Sequence, residues 1–382
     1  MALIKSISGI RGTIGGKTDD NLTPLDVVKF SAAYGTWLMQ QSKNHTVIIG
    51  RDARISGEMV SSLVVNTLIG LGLNVIDLGL STTPTVEMAV KFENAAGGII
   101  LTASHNPKQW NALKLLNKYG EFISESVGRE IIKKSDKAKY EFPEIDKIGT
   151  LTKKDYLDQH IEKILALPYI DVEAIKNKKF HIVIDAVNSV GGIAVPKLLK
   201  ALGVDKITEI FCEPNGKFPH NPEPLPEHLS NLASEVTFNK AHLGIAVDPD
   251  VDRLAFIDDK GNAFGEEYTL VACADYVIAQ NKGNTVSNLS STKALRDIAK
   301  KYEVEYHASA VGEVNVVEKM KAVDAVIGGE GNGGVILPEL HYGRDALVGI
   351  AIFLTHLAKS NKNTSSLRAS YPNYVISKNK IQ

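Results

Sequence analysis

The sequence lacks the features of a secreted or membrane-bound protein. Only two cysteines, Cys212 and Cys273, occur among 382 residues, in unrelated contexts. At most one disulfide could form, and buried free thiols in a reducing compartment are the favoured interpretation. No run approaches the ~18 uninterrupted apolar residues of a membrane-spanning helix. The N-terminal stretch MALIKSISGIRG lacks the apolar segment of a signal peptide. We therefore expect a soluble, cytoplasmic protein with no membrane partner.

The chain also lacks an excess of charge of either sign. Lys plus Arg (43) nearly balance Asp plus Glu (44), for a formal net charge of -1. Because proteins that bind nucleic acid carry a basic excess, no nucleic-acid partner is expected. An anionic ligand would have to be bound by locally placed groups. The hydrophobic content of 44% is ordinary for a globular chain, and the length suggests two or three domains at about one per 150 residues.

Short β-branched runs alternate with helical patterns along the chain, which is typical of βαβ units. A first round includes TVIIG (46–50) and GGIILTAS (97–104). The charged segment 131–149 has no core-forming pattern and indicates the approach to a boundary. The alternation restarts with FHIVIDAV (180–187) and again near Gly261. Three similar α/β rounds predict three consecutive domains.

The motif DPDVDR (248–253) places three carboxylates at alternate positions directly after the predicted strand LGIAV. Like charges this close repel, so the loop is costly to fold unless a cation offsets them. Oxygen ligands without cysteine or histidine favour Mg²⁺ over zinc. An EF-hand fits poorly, because Arg253 and Asp259 stand where that loop needs glycine and glutamate. We interpret the motif as a metal site, with an acidic surface turn as the alternative.

The motif TASHNP (102–107) presents the Ser104 hydroxyl beside the His105 imidazole at the end of a predicted strand. Ligands in open α/β sheets bind beyond the carboxyl ends of strands. A serine-hydrolase triad is not indicated, because the chain has no GxSxG elbow and adjacent side chains need not face each other. Taken alone, the serine could be an ordinary turn residue.

Three further loops contain candidate ligand-binding groups. SGIRG (8–12) and GRDAR (50–54) combine glycine with arginine, which suits an anion because backbone N–H groups and guanidinium groups both donate to phosphate. GGEGNGG (328–334) spaces Glu330 and Asn332 to reach neighbouring hydroxyls of a polyol. Its glycines let the backbone approach a ligand closely. Each loop alone could equally be a surface turn.

Together these loops resemble those of the α-D-phosphohexomutase family, and the similarity spans the whole chain. Members carry a phosphoserine loop TASHNP, a metal loop DxDxDR and a sugar-recognition loop close to GExSGG. NGKFPHNPEP (215–224) is similar to the family's DGxFPxHxPxP stretch, and SGIRG to a segment that contributes an arginine. The resemblance implies three consecutive, similar α/β domains with mixed sheets sandwiched by helices around a central cleft.

The resemblance also implies domain boundaries. Residues 1–150 would form the phosphoserine-loop domain, 151–257 the metal-binding-loop domain, and 258–367 the sugar-recognition-loop domain. Residues 368–382 resemble the start of the family's fourth, phosphate-binding domain, whose loop RxSGTEP has no counterpart in the sequence. On this view the fourth domain is abbreviated and substrate binding is weak, since each lost charge-assisted hydrogen bond costs about 1.5–3 kcal/mol.

The matched positions acquire implied roles. The implied catalytic residues are Ser104, Lys114, Arg11 and His105. The implied Mg²⁺ ligands are Ser104, Asp248, Asp250 and Asp252. The implied substrate contacts are Arg253, Glu330, Asn332 and Gly312. The sequence departs from the family at Asn332, where the sugar loop commonly has serine, and at Ala112, where glycine is usual.

The implied activity is that of a phosphohexomutase, which transfers phosphate reversibly between the 1- and 6-positions of a hexose phosphate. Phosphoserine would be the donor, and a hexose 1,6-bisphosphate would be both intermediate and activator. The run 329–346 resembles the form found in archaeal-type phosphoglucosamine mutases, which favours glucosamine phosphate over mannose or glucose phosphate. The expected partner is this small molecule, and the expected assembly is a monomer or a homodimer.

Two other interpretations remain open. A phosphatase-like enzyme with an aspartate nucleophile would assign the phosphoryl transfer to Asp248 or Asp250. Against this, position five of the motif is Asp252 rather than the threonine or valine of such enzymes. The second alternative is a sugar-phosphate-binding remnant that has lost turnover together with the fourth domain.

Overall fold

The chain forms three α/β units, each built on its own sheet. The structure, a computed structural model, describes residues 3–6 and 9–375. One sheet has seven strands and the other two have four strands each within these residues. The prediction of three consecutive α/β domains with mixed sheets and helices is confirmed. No helix in the described ranges has both the length and the apolar character needed to cross a membrane.

The first domain contains the seven-stranded sheet. Its strands are β1 (Ile4–Ser6), β2 (Gly9–Thr13), β3 (Thr46–Arg51), β4 (Asn74–Leu80), β5 (Gly97–Leu101), β6 (Trp110–Leu116) and β7 (Leu151–Lys153). Its helices are α1 (Pro24–Gln41), α2 (Gly57–Gly70), α3 (Thr83–Phe92) and α4 (Glu125–Lys137). The strand order is β1-β2-β6-β5-β3-β4-β7. The β3–β4, β3–β5 and β4–β7 pairs are parallel and the remaining pairs antiparallel, so the sheet is mixed.

The second domain has the strand order β11-β10-β8-β9. Its elements are α5 (Leu157–Leu165), α6 (Val172–Asn177), β8 (His181–Asp185), α7 (Gly191–Ala201), β9 (Lys206–Ile210), α8 (Ser230–Phe238), β10 (Leu243–Val247) and β11 (Leu254–Ile257). Strands β8, β9 and β10 are parallel, and β11 returns antiparallel to β10. The β10–β11 hairpin therefore presents the motif DPDVDR at the carboxyl end of β10.

The third domain has the strand order β13-β12-β14-β15. Its elements are α9 (Glu266–Gln280), β12 (Asn284–Asn288), α10 (Ala294–Tyr302), β13 (Tyr306–Ser309), α11 (Glu313–Ala322), β14 (Ala325–Glu330), β15 (Gly334–Ile336), α12 (Ala346–Ser360) and α13 (Thr364–Ala369). Helix α12 is largely buried and contacts α5, α6 and α7 of the second domain as well as α9. One continuous apolar core therefore joins the second and third domains.

The first domain extends further along the chain than the sequence predicts. The segment 131–149 is not uniformly without core contacts, because its first part is the end of α4, where Ile131 and Ser135 are buried against α1. The narrow buried face of this charged helix explains why the sequence shows no core-forming pattern there. Strand β7 pairs with β4, so the first sheet extends past the expected boundary at residue 150.

The segment expected to open a fourth domain is only partly described. Helix α13 ends at Ala369, and residues 370–375 contain no strand. The Tyr268 hydroxyl donates a hydrogen bond of 2.8 Å to the Pro372 carbonyl, so this stretch packs on the third domain. Residues 376–382 of the proposed fourth-domain start lie outside the described residues, as does Ser8 of SGIRG.

Candidate active site

The Ser104 side chain lies at the carboxyl end of β5, where the chain turns sharply out of the sheet. Its φ of 49° is in the left-handed region, and its N–H donates to the Thr102 hydroxyl at 2.9 Å. The Ser104 Oγ donates a hydrogen bond of 2.7 Å to Asp248 Oδ2, across the boundary between the first two domains. The serine and the three-carboxylate loop, which are far apart in sequence, therefore meet directly.

Arg54 holds the serine loop in place by donating hydrogen bonds to its backbone carbonyls. Its side chain is buried and pairs with Asp52 at 3.0 Å. The same guanidinium donates to loop carbonyls, at 2.6 Å to Asn106 and 2.8 Å to Pro107, and also contacts the Ser104 carbonyl. A planar group with five donors can satisfy several carbonyls at once. Arg54 therefore supports the loop and is not the solvated arginine that its motif alone would allow.

The metal-binding motif forms a tight, fully buried loop. Asp248, Asp250 and Asp252 all have 0% exposure. Asp248 Oδ1 accepts N–H groups of Asp252 and Arg253, both at 3.1 Å, which closes the loop on itself. Asp250 Oδ2 accepts the Thr83 hydroxyl at 2.6 Å. The N-terminus of α3 in the first domain therefore contacts the metal loop of the second.

Lys114 on β6 is the nearest side-chain cation to Asp250. Its Nζ is 2.8 Å from Asp250 Oδ2 and 3.5 Å from Asp252 Oδ2. Burial opposes the charged form of both partners, but their mutual attraction outweighs it. It holds the pKa of Lys114 above its ordinary value and that of Asp250 below it. Asp248 behaves oppositely, since burial and the two neighbouring carboxylates raise its pKa.

The residues present fit a hard divalent cation. One carboxylate oxygen from each aspartate lies within 4.8 Å of the others. Asp250 Oδ1 and Asp252 Oδ1 are buried and have no hydrogen-bond partner. An unpaired buried carboxylate oxygen is costly, and a cation with oxygen ligands would satisfy both atoms. The three aspartates can therefore hold a metal ion.

Asp250→Asn is expected to weaken Mg²⁺ binding. The substitution keeps the size of the side chain but removes one negative charge from the ligand set. Mutating a residue that hydrogen-bonds to a metal ligand lowers the metal affinity about 10–100-fold. Replacing a ligand itself should lower the affinity at least as much. Calorimetric titration with Mg²⁺ measures the loss. Asp258→Asn, a buried carboxylate in the turn after β11, is the control and should leave the affinity unchanged. Unchanged affinity in Asp250→Asn would remove this residue from the ligand set.

Arg344 connects the loop GGEGNGG (328–334) of the third domain to the metal-binding loop of the second. This buried guanidinium donates to Asp252 Oδ2 at 2.6 Å, Glu330 Oε2 at 2.9 Å and Glu313 Oε2 at 2.8 Å. Glu330 Oε1 accepts the Asn288 amide at 2.7 Å and the Gly312 N–H at 3.1 Å. Arg344 thereby ties the metal loop to the sugar loop.

A cavity of about 630 Å³ opens above these loops, and all three domains line it. Eight of the predicted site residues lie around it: Arg11, Ser104, His105, Lys114, Arg253, Gly312, Glu330 and Asn332. The three aspartates lie directly behind Ser104 and Lys114. The structure therefore brings together the residues to which the family resemblance gave catalytic, metal-binding or substrate-binding roles. Arg51 of the GRDAR loop is not among the residues that line this cavity.

Two arginines at the cavity, Arg11 and Arg253, have guanidinium donors without partners. Arg253 pairs with Glu223 of the NGKFPHNPEP stretch at 2.9 Å, and its Nε is buried without a partner. Arg11 also has a buried Nε without a partner, and burial lowers its pKa. Burial, together with Arg253, lowers the pKa of His105 to about 3, so its imidazole is neutral. The free guanidinium donors suit an anionic ligand.

Several residues of the site carried no role in the sequence interpretation. They are Thr83, Asn288, Glu313 and Arg344. Arg54 belonged to a loop predicted to bind an anion and instead supports the serine loop. Arg344 precedes the α12 N-cap, in a run noticed only for its similarity to other sequences. Arg344 and Asp252 are 92 positions apart in the chain. Only the packing of the domains brings them together, and no local pattern predicts it.

Comparison with known proteins identifies the family. Three domain families match the chain in order, described as phosphoglucomutase/phosphomannomutase, alpha/beta/alpha domains I, II and III. They cover residues 3–142, 155–261 and 265–374. The chain belongs to the phosphoglucomutase/phosphomannomutase family. The resemblance to phosphohexomutases is confirmed, and the protein is an enzyme of the isomerase class, a phosphomutase.

Relatives within the phosphoglucomutase/phosphomannomutase family carry more than one activity in their names. A phosphoglucomutase/phosphomannomutase of Thermococcus kodakarensis is 35% identical, over 97% of this chain and 81% of the relative. A phosphoglucosamine/phosphogalactosamine mutase of Sulfurisphaera tokodaii is 31% identical, over 100% and 83%. The crystal structure of a family protein from Burkholderia thailandensis superposes with a TM-score of 0.86 at 26% identity, over 98% of this chain and 81% of that one.

Proposed function

We propose that the protein transfers phosphate reversibly between the 1- and 6-positions of a hexose phosphate, with Ser104 as the carrier and glucosamine phosphate as the preferred substrate. The contact that carries this proposal is the 2.7 Å hydrogen bond from Ser104 Oγ to Asp248 Oδ2. It joins the only serine of the TASHNP loop to the metal-binding aspartates, inside a cavity large enough for a sugar phosphate.

The reaction starts with Ser104 carrying a phosphoryl group. A substrate hydroxyl oxygen bonds to phosphorus while the bond from phosphorus to the seryl oxygen breaks, and the hydroxyl proton ends on the seryl oxygen. The resulting hexose 1,6-bisphosphate turns over in the cleft. Its other phosphoryl group then returns to Ser104 by the same exchange, which leaves the isomerised monophosphate.

Two side chains are placed to move the proton. Lys114 is held as an ammonium by the aspartates beside it, so it can donate a proton to a leaving oxygen. His105 is a neutral imidazole whose Nδ1 lies 3.4 Å from Ser104 Oγ, so it can accept one. Lys114 is the first candidate for proton transfer, and His105, a weak base at a pKa of about 3, is the second.

Asp248, Asp250 and Asp252 would hold Mg²⁺, with an oxygen of phospho-Ser104 as a further ligand. When bound, the ion neutralises charge on the transferring phosphoryl group. Asp248 also orients the Ser104 hydroxyl through the hydrogen bond described above. Because the loop is closed by its own backbone N–H groups, the three carboxylates are preorganised for these roles.

The cavity wall supplies substrate contacts. Arg11 and Arg253 each have a buried Nε without a partner, which can donate to a substrate phosphate or to phospho-Ser104. Glu330 and Asn332 would accept from sugar hydroxyls, and the Gly312 N–H keeps Glu330 oriented. Glu330 would also accept a hydrogen bond from the ammonium of a glucosamine phosphate. Relatives named as phosphoglucosamine mutases support this preference.

The two cysteines bear on where in the cell the enzyme works. Cys212 and Cys273 are both free thiols, and burial raises the pKa of each. Two free thiols, Cys273 buried and Cys212 half-buried, fit a reducing compartment, which supports a cytoplasmic location. We place the boundaries of the three domains near residues 150, 257 and 367, and we take the assembly to be a monomer or a homodimer.

Isomerisation assays test the proposed function. The purified chain is supplied with Mg²⁺ and a hexose 1,6-bisphosphate, and kcat/KM is compared for the phosphates of glucosamine, mannose and glucose. We expect turnover of all three, with glucosamine phosphate preferred by about tenfold or more, the scale of one charge-assisted hydrogen bond of about 1.5 kcal/mol. A preference for another sugar would overturn the substrate assignment. No isomerisation of any of them would favour a binding protein without turnover.

A further inference from the structure

A second cluster of buried titratable residues lies outside the active-site cavity, where the three domains meet. Glu87 comes from α3 of the first domain, and His160 from α5 of the second. His341 and Asp345 come from the segment that joins β15 to α12 in the third domain. All four side chains are 4% exposed or less. Four ionisable groups at one buried junction are costly unless their charges compensate.

His341 bridges the two carboxylates of this cluster. Its Nδ1 is 3.3 Å from Glu87 Oε2, and its Nε2 is 3.3 Å from Asp345 Oδ2. His160 Nε2 reaches the same Asp345 oxygen at 2.9 Å, while its Nδ1 contacts the Thr85 hydroxyl at 3.0 Å. His341 Nδ1 and Glu87 lie at ion-pair distance without forming a hydrogen bond, so this contact is electrostatic. A carboxylate on each side of the imidazole favours its charged form.

The protons balance the charge of the cluster. Asp345 Oδ1 caps α12 by accepting two backbone N–H groups, and despite burial its contacts with His160 and His341 hold its pKa below the ordinary value. His341 is buried, but its two carboxylate neighbours raise its pKa to about 9. Burial raises the pKa of Glu87 to about 8. Protons on Glu87 and His341 therefore offset the negative charge of the buried carboxylates.

The cluster touches both neighbours of Arg344 in the chain. A side-chain carbon added to Gly343 would lie 1.9 Å from Glu87 Oε2, so Glu87 packs directly on that backbone. Asp345, on the other side, is fixed by His160 and His341. Arg344 itself extends into the active site, where it binds Asp252, Glu313 and Glu330. Movement of the cluster would therefore move the group that ties the metal loop to the sugar loop.

We propose that Glu87 and His341 are positioning residues, which form a proton-dependent contact between the first and third domains and thereby hold Arg344 in place for turnover. This inference rests on the proposed mutase function. The charged and titratable groups that face the pair are His160 and Asp345 in the cluster. Glu313 and Asp252 act on Glu87 from the active-site side.

Rising pH should loosen the contact in two steps. Above a pH of about 8, loss of the Glu87 proton adds a negative charge to the buried junction. Above about 9, loss of the His341 proton removes a positive charge from it. Because both folded-state pKa values are raised, the proton-linked stability is present at low pH and is lost as the pH rises through these values. The conformation that holds Arg344 should be lost with it.

Glu87→Gln tests this proposal, because glutamine has the shape of the neutral acid and does not titrate. In the unchanged protein, kcat should fall about tenfold per pH unit above a pH of about 8. In Glu87→Gln, kcat at neutral pH should be within about twofold of the unchanged protein, and the fall should begin about one unit higher, with His341. Glu58→Gln, an exposed residue of α2, is the control and should not shift the profile. An identical fall in Glu87→Gln and the unchanged protein would overturn the proposal.

The melting temperature gives a readout that does not depend on activity. For the unchanged protein it should decrease as the pH rises from acid to about 9, and Glu87→Gln should show a smaller decrease. If the protein isomerises no hexose phosphate, the mutase proposal fails, and this comparison alone decides the role of Glu87. An equal pH dependence of the two melting temperatures would then refute it. Stoichiometric zinc that is lost in His341→Gln would also overturn the proposal, since it would show that the cluster binds a metal.

Discussion

Replacing Ser104 with alanine is expected to reduce mutase turnover by about 10⁴-fold or more, the scale seen when a nucleophile is removed. The hydroxyl is the group that bonds to the phosphoryl, and the loop offers no second hydroxyl at that place. The change removes the hydrogen bond to Asp248 and the longer contact with His105 at 3.4 Å. Stability should fall by no more than about 1–3 kcal/mol, because the partner is a buried carboxylate.

A matched serine separates chemistry from packing in this experiment. Ser61 in α2 is 8% exposed, close to the 6% of Ser104, but it lies away from the cavity. Ser61→Ala should retain full turnover. Circular dichroism of both variants should match the unchanged protein. Substantial turnover by Ser104→Ala would refute its role as the carrier.

Replacing Arg344 with methionine is expected to destabilise the protein by about 3–5 kcal/mol, the cost of leaving buried charges without their partner. Methionine fills similar space but leaves Asp252, Glu313 and Glu330 as buried carboxylates without their common cation. Turnover should also be lost, because the sugar loop and the metal loop are no longer tied together. Urea denaturation followed by circular dichroism measures the change in free energy of unfolding.

An exposed arginine is the control for Arg344→Met. The Arg129 side chain is 76% exposed, and it pairs with Glu125 on the surface of α4. Arg129→Met should change the free energy of unfolding by no more than about 1 kcal/mol, because solvent screens surface pairs. If Arg344→Met costs as little as Arg129→Met, the three carboxylates do not depend on Arg344 for compensation.

The parts of the site that the sequence predicts are those carried by a single loop. Ser104 follows β5, Asp248 follows β10 and Glu330 ends β14. Each motif is local, and strand ends of open α/β sheets are where ligands bind. Local patterns and the family resemblance were therefore sufficient to place these residues at one cleft. The α/β architecture follows from the same alternation of strands and helices.

The parts that the sequence does not predict depend on contacts between distant elements. Arg54 is about fifty residues from the loop that it supports, and its motif is equally compatible with a surface turn. Arg344 acquires its role only when the third domain packs against the second. Glu87 is an unremarkable residue of α3 until His341 is placed beside it. Long-range packing assigns these roles, and no periodicity or spacing signals it.

The identity of the phosphorylated residue tests the central claim most directly. The protein is incubated with a hexose 1,6-bisphosphate labelled in its phosphates, quenched in acid and mapped by peptide analysis. We predict an acid-stable label on Ser104 that a hexose monophosphate can remove. A hydroxylamine-sensitive acyl phosphate on Asp248 or Asp250 would contradict the claim and would assign the transfer to the aspartate loop instead.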